Sequence, residues 1–268
     1  NIALEHTKYL GDTLELIAFE KAGIIKPDTQ LVSGETHPGP CDVILDRARE
    51  LNAPVALLGR EFQFSLAGAS PNQQFGYRSA SLRLNKARLG LPGPYQGANA
   101  AVAVSAAEHL RDTFPKLNDV SIQRGLAQSK WPCRLERVLH DPEVIIDVAH
   151  NAAGAEALVA ALNGPCIIVV AVAGDKDARR MLALLSEKAH RLVLSEFEGT
   201  RAMPLADLAD AVPERPHDEL PRLEDAIALG IREASSTGLP LVITGSLFTA
   251  GQARRIFIDH YGAPPLQF

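Results

Sequence analysis

The second half of the chain repeats one hydrophobic pattern. Short, nearly continuous apolar runs occur at 144–151 (VIIDVAHN), 166–172 (CIIVVAV), 191–197 (RLVLSEF) and 240–246 (PLVITGS). Each is rich in Val, Ile and Leu and ends in polar or small residues. Such runs predict strands buried on both faces rather than strands with one wet face. Between them lie segments of helical period, at about 153–162, 177–189, 204–211 and 221–235, with a last one at 249–261. Strand–helix alternation of this kind predicts a mostly parallel sheet with helices on both faces.

The first half is patterned differently. Leu14, Ile17 and Ala18 have helical spacing within 12–20, Asp12 or Thr13 can cap the start, and Gly23 suits the end. A second helix is predicted at 41–52 and a short strand at 53–59. From 62 to 91 apolar and polar residues alternate between turn residues, which predicts partly antiparallel strands. A Gly/Pro loop then leads into an alanine-rich helix from about Gly97 to Leu110, and another helix is predicted at 121–128. The change of pattern puts a domain boundary near 129–134, giving units 1–133 and 134–268. The opening residues, NIAL, read as the end of a strand already under way, so the chain is expected to be a fragment or a processed product.

Composition narrows the function. With 27 basic and 32 acidic residues the net charge is −5, which argues against a nucleic-acid partner. An anionic substrate must then be met by local cations. The longest apolar run, 166–174, is too short to span a bilayer, and no signal peptide opens the chain. Cys41, Cys133 and Cys166 form no CxxC pair, so reduced thiols and a cytoplasmic location are expected.

In an open parallel sheet, ligands sit outside the carboxyl ends of the strands. Three polar sets fall there: Asp147, His150 and Asn151; Gly174, Asp175, Lys176 and Asp177; and Gly245 with Ser246. If the sheet forms, these sets can meet at one edge. Taken singly, each is equally well read as turn and N-cap chemistry. Ser246 lacks a GxSxG context and is not a nucleophile-elbow serine. In the first half, His6 follows a short apolar run, and Lys21 stands in the last turn of a helix, where the dipole favours a cation.

Read in order, the segments EHTKYLGDTLELIAFEKAGIIKP, PYQGANAAVA, WPCRLE, VIIDVAHNAAGAEAL, GDKD and ITGSLF resemble the folylpolyglutamate synthase and dihydrofolate synthase family, within the Mur-type amide ligases. Two residues depart from the family pattern: Cys133, where WPGR has glycine, and Glu5, where aspartate is common. The resemblance implies a partial Mur-ligase central ATPase domain (1–133) followed by a Rossmann-like, mostly parallel α/β domain that binds glutamate (134–268). It implies an enzyme that uses ATP and Mg2+ to phosphorylate a dihydropteroate or folate carboxylate, which the amine of L-glutamate then attacks.

By position, the resemblance makes His6 and Lys21 metal-site residues, Lys21 as a carbamate formed with carbon dioxide. It places Asn99 near adenine, Arg134 at the ATP phosphates and Asp147 at the nucleotide. His150 and Ser246 come near the incoming glutamate, with Lys21 and His150 in catalytic roles. The family's glycine-rich phosphate loop would lie upstream of this chain, so the chain alone is expected to be inactive and the whole protein a monomer. Two alternatives remain open: a non-catalytic nucleotide- or glutamate-binding relative, and a Mur-type ligase for another amino acid.

Overall fold

The computed structural model describes residues 2–4, 10–68 and 73–265. His6 lies outside the described residues. The chain forms two compact units, 1–129 and 130–268.

The first unit begins with helix α1 (Leu14–Ala22), whose N-cap Thr13 accepts the Leu16 N–H. Gly23 ends α1 in ordinary right-handed conformation, φ −56°, so the freedom of a glycine is not used there. Strand β1 (Leu31–Ser33), helix α2 (Pro38–Glu50) and strand β2 (Val55–Leu57) follow, with β1 and β2 paired in parallel. Pro38 starts α2 at a position where its missing N–H costs nothing. β1 is too short at three residues to announce itself in the sequence, and its only described partner is β2.

Strands β3 (Gln63–Ala67), β4 (Gln74–Arg78) and β5 (Arg83–Arg88) form an antiparallel sheet. A bulge opposite Gly76, with Lys86 at φ 56°, brings both Leu84 and Ala87 onto the buried face. That face shares a core with Phe75, Tyr77 and helices α3 (Gln96–His109) and α4 (Asp119–Gln128). Gly97 lets α3 come close, since a Cβ there would stand 2.5 Å from Leu66 Cδ1 and 2.6 Å from Phe64 Cε2.

The second unit holds strands β6 (Glu136–His140), β7 (Glu143–Ile146), β8 (Cys166–Val170), β9 (Ala189–Glu196), β10 (Asp218–Arg222) and β11 (Leu241–Thr244). They form one sheet in the order β10-β9-β8-β11-β7-β6, parallel except for β6, which runs antiparallel to β7. The helices are α5 (Ala152–Ala161), α6 (Ala178–Ser186), α7 (Leu205–Asp210), α8 (Leu223–Thr237) and α9 (Leu247–Tyr261).

From β7 to β10 the connections step one way along the sheet, and from β10 to β11 they step back. Right-handed crossovers therefore put α5, α6 and α7 on one face and α8 on the other. The core agrees: Val144, Ile146, Ile167, Val169 and Ile243 pack with residues of α8 and α9. The intervening Ile145, Ile168 and Val242 are buried on the opposite face.

The mostly parallel sheet is as the pattern predicts; its two edges are not. The predicted strand at 144–151 is only Glu143–Ile146, because the chain turns out of the sheet at Asp147. β6 is half exposed and carries polar residues at both ends, so it lacks the apolar run of the inner strands. The helix predicted from 221 begins at Leu223, and DELPR before it is edge strand β10. Its register shifts between Glu219 and Arg222, around Pro221, and proline is tolerated at a sheet edge because no neighbour needs its N–H. Arg191 of β9 grips Asp218 at the start of β10 with two bonds of 2.7 and 3.0 Å.

One carboxylate in the first unit is fully enclosed. Glu35, 2% exposed, accepts the N–H groups of Ile2, Thr36 and His37 and a bond from the His37 ring. Burial pushes its carboxyl up, but these donors outweigh burial and hold it below the usual 4.5. Its contribution to stability is therefore complete above pH 4.5 and is lost as pH falls through the depressed value. Glu35→Gln is expected to cost about 2 kcal/mol at neutral pH, with the gap from the parent protein closing in acid. Urea unfolding across roughly pH 3–7 checks this; a gap that does not change with pH would refute it.

Candidate active site

The carboxyl edge of the six-stranded sheet gathers four of the expected residues: Arg134, Asp147, His150 and Ser246. The loop after β7 meets the loop after β11, where Gly245 N–H bonds the Ala149 carbonyl at 3.1 Å and Asp147 N–H bonds Ile243 at 3.0 Å. The loop after β8 joins them: Ala171 N–H bonds the Thr244 carbonyl at 3.2 Å, and the Thr249 hydroxyl bonds the Ala171 carbonyl at 2.7 Å. Gly245 has φ +112°, and a Cβ there would stand 2.5 Å from the Ala171 oxygen. Only glycine fits that crossing.

Asp147 is 3% exposed. One carboxylate oxygen accepts the Leu135 N–H at 2.9 Å and the other the Ala149 N–H at 2.8 Å. Burial pushes its carboxyl above the usual range, against the pull of these N–H groups and of nearby Arg134 and His150. By this geometry Asp147 ties the 133–135 turn to the end of β7.

That turn is unusual. Cys133 and Leu135, on either side of half-buried Arg134, both have positive φ, 57° and 47°. Neither residue favours that region, and each costs of the order of 1–3 kcal/mol there. The glycine of the family's WPGR pattern matches what this backbone position asks for. Cys133 is nevertheless held: its N–H bonds Glu136 Oε2 at 2.8 Å and its carbonyl accepts the Val148 N–H at 2.9 Å. Its thiol is pushed up to about 12 by burial and by Glu136, and the Cys166 thiol to about 12 by burial, so neither is a nucleophile at neutral pH.

His150 is half-buried, with Nδ1 3.0 Å from the Val148 carbonyl. A carbonyl only accepts, so Nδ1 carries the proton and a neutral ring keeps its lone pair on Nε2. Ser246 is buried and caps α9, its Oγ accepting the Phe248 N–H at 3.1 Å. Asn151 caps α5 and Asp177 caps α6 through bonds of 2.7 and 3.0 Å. The cap chemistry read in these residues is therefore real. It also brings three helix N-termini to the sheet edge that carries Arg134, an arrangement favourable to anions.

Two further side chains stand at this edge without a role expected from the sequence. Arg201 lies 5.3 Å from the exposed Phe248 ring and 3.7 Å from Asp175, which also pairs with Lys176 at 3.1 Å. Nothing in the local pattern of Arg201 marks it. Phe248 could have been noticed as an aromatic directly after GSL.

The other expected residues belong to the first unit. Lys21 is in the last turn of α1 and Asn99 is on α3, where its Nδ2 donates to Gln96 Oε1 at 2.9 Å. Among the described residues no three His, Cys, Asp or Glu side chains are placed to hold a metal ion. Among the described residues no helix is long and apolar enough to cross a membrane.

Comparison with known proteins names this arrangement. Residues 133–247 match the family model "Mur ligase, glutamate ligase domain". Over 264 residues the chain is 31% identical to folylpolyglutamate synthase of Lacticaseibacillus casei, an alignment covering 96% of this chain and 60% of that protein. Over nearly its whole length the chain is similar to folylpolyglutamate synthases and dihydrofolate synthases. The fold of folylpolyglutamate synthase from Mycobacterium tuberculosis, solved with ADP and AMPPCP, is similar at TM-score 0.87 and 32% identity, covering 98% of this chain and 63% of that one. The Yersinia pestis folylpolyglutamate synthase/dihydrofolate synthase, solved with AMPPNP and a Mn ion, gives TM-score 0.81 at 28% identity, covering 97% of this chain and 60% of that one. The chain thus spans about three-fifths of the length of these synthases.

The loop crossing at Gly245 gives a direct test of this sheet edge. Gly245→Ala is expected to destabilise the second unit by about 2 kcal/mol or more, since the Cβ meets backbone and φ is unfavourable. Denaturant unfolding measures this; a loss under about 0.5 kcal/mol, the order of an ordinary surface change, would mean the crossing is looser than described.

Proposed function

We propose that this chain is part of an ATP-dependent ligase that joins L-glutamate to the carboxylate of dihydropteroate, a folate, or both. The observation that carries the proposal is the Arg134 turn, tied by Asp147 to the end of β7 at the sheet edge where three loops meet, in a segment matched by a glutamate ligase domain. Names of the relatives support the substrates, and nucleotide complexes of the similar structures support ATP. A divalent cation belongs to the same proposal, with His6 and carbamylated Lys21 as its expected donors. It would neutralise charge on the phosphoryl group. The roles of the residues at the sheet edge do not depend on where it sits.

In this proposal Arg134 presents its guanidinium to the polyphosphate, a role suited to a planar fork of donors. Asp147 acts through the backbone, holding the turn that carries Arg134. Asn99 stands beside the adenine. The glutamate carboxylates come to the edge where α5, α6 and α9 begin, with Ser246 in the first turn and Lys176 and Arg201 as local cations. The amine must be neutral to attack the activated carbonyl carbon, and Nε2 of His150 is the lone pair available to take its proton. Attack forms the C–N bond, and the C–O bond to phosphate then breaks.

The test is ligation by the intact protein that carries this chain, with ATP, Mg2+ and L-glutamate. Dihydropteroate, tetrahydrofolate and a muramyl peptide are supplied in parallel. Glutamylated pteroate or folate is expected; product from the muramyl substrate alone would replace the folate assignment, and ATP binding without product would favour a non-catalytic relative. Lys21→Ala is expected to lower turnover by about a hundredfold, the order lost when one preorganised electrostatic contact in an active site is removed. Full activity of this variant in bicarbonate-free buffer would remove the carbamate from the mechanism.

A further inference from the structure

The turn that carries Arg134 has a support on the side away from Asp147, and it reaches into the interior. Glu136 Oε2 accepts the Cys133 N–H at 2.8 Å, while its Oε1 accepts Arg254 Nε at 2.9 Å. Arg254 is 4% exposed on α9, and its Nη2 donates to the Pro264 carbonyl at 2.7 Å. A continuous line of bonds thus runs from Pro264 through Arg254 and Glu136 to the backbone of Cys133. An enclosed guanidinium is a costly way to fill this space, and apolar side chains of similar volume would be no worse for stability. What the ion pair adds is a fixed acceptor for an N–H whose residue stands at φ 57°.

We propose that Glu136, held by Arg254, is a positioning residue for Arg134. It keeps Cys133 in its strained conformation and so sets where the next side chain stands. Arg254 lies on the same helix that Ser246 caps, so one rigid element supports the turn and also begins at the sheet edge. Neither residue touches substrate in this account. The proposal rests on the reading of Arg134 as the polyphosphate-binding arginine.

The test compares steady-state ligation by the intact protein with that of Arg134→Ala, Glu136→Ala, Glu136→Gln and Glu136→Asp, alongside thermal melts. Glu136→Ala is expected to raise the KM for ATP about tenfold while the KM for glutamate stays within about twofold. Glu136→Gln keeps an oxygen that can accept the Cys133 N–H and should recover most of the loss. Glu136→Asp keeps the charge beside Arg254 but falls a methylene short of Cys133, and should resemble alanine; it carries the test if the alanine variant does not fold. Adding Cys133→Gly to Glu136→Ala or Glu136→Asp should restore part of the ATP affinity, because glycine adopts this φ without help.

A merely structural Glu136 would give a different picture. Both KM values would rise together in step with a lower melting temperature, without rescue by glutamine, and the proposal would fall. If Arg134→Ala weakens ATP use and no Glu136 variant does, the positioning role alone is overturned. If Arg134→Ala leaves ATP use unchanged, the reading of Arg134 fails and the proposal fails with it.

Discussion

Parallel strands end at one edge, and every loop leaving that edge must find partners for backbone groups that have left the ladder. In the second unit much of this demand falls on the carboxylate of Asp147. One oxygen takes the N–H of Leu135 and the other that of Ala149, while the Asp147 N–H itself bonds back to Ile243. The residue is enclosed, so these bonds form where water cannot compete. Arg134, the Val148–Ala149 segment that precedes His150, and the Gly245 crossing all hang on that arrangement.

The same edge concentrates strain. Two residues with side chains adopt positive φ around Arg134, and Gly245 passes close to another loop. Such conformations persist only when the surroundings over-determine them. Here the surroundings are a sheet whose inner strands β8 and β11 are fully buried, with α8 and α9 packed against it, plus the Arg254–Glu136 pair. A rigid core thereby holds a polar edge in a conformation that the edge would not adopt by itself. The phosphate and glutamate roles proposed for that edge draw on this rigidity.

The first unit is built on different terms. Its antiparallel sheet covers one face with α3 and α4, and α1, which bears Lys21, packs against α2. Glu35 joins the Ile2 N–H to the start of α2 through one enclosed carboxylate. Nothing in GETHPG marks this glutamate as interior. A charged residue in a turn reads as solvated until the chain around it supplies donors.

The inner strands were legible because burial on both faces leaves a continuous apolar run, and one β-branched run after another specifies a parallel sheet. The ordered motifs, spread over both halves, were enough to name the family and the residues to watch. The edge strands β6 and β10 were not legible, since a half-exposed strand has no such run and a proline within DELPR argues against one. Arg254 left a faint signal as an arginine on the apolar face of α9, spaced with Ala250, Ala253 and Phe257. Its partner, 118 positions earlier, left none. Local pattern fixes which segments become strands and helices because that choice depends on neighbours a few residues away. Which N–H a carboxylate accepts, and which backbone is bent to suit it, depends on groups far apart in sequence, and only the folded chain brings them within hydrogen-bonding distance.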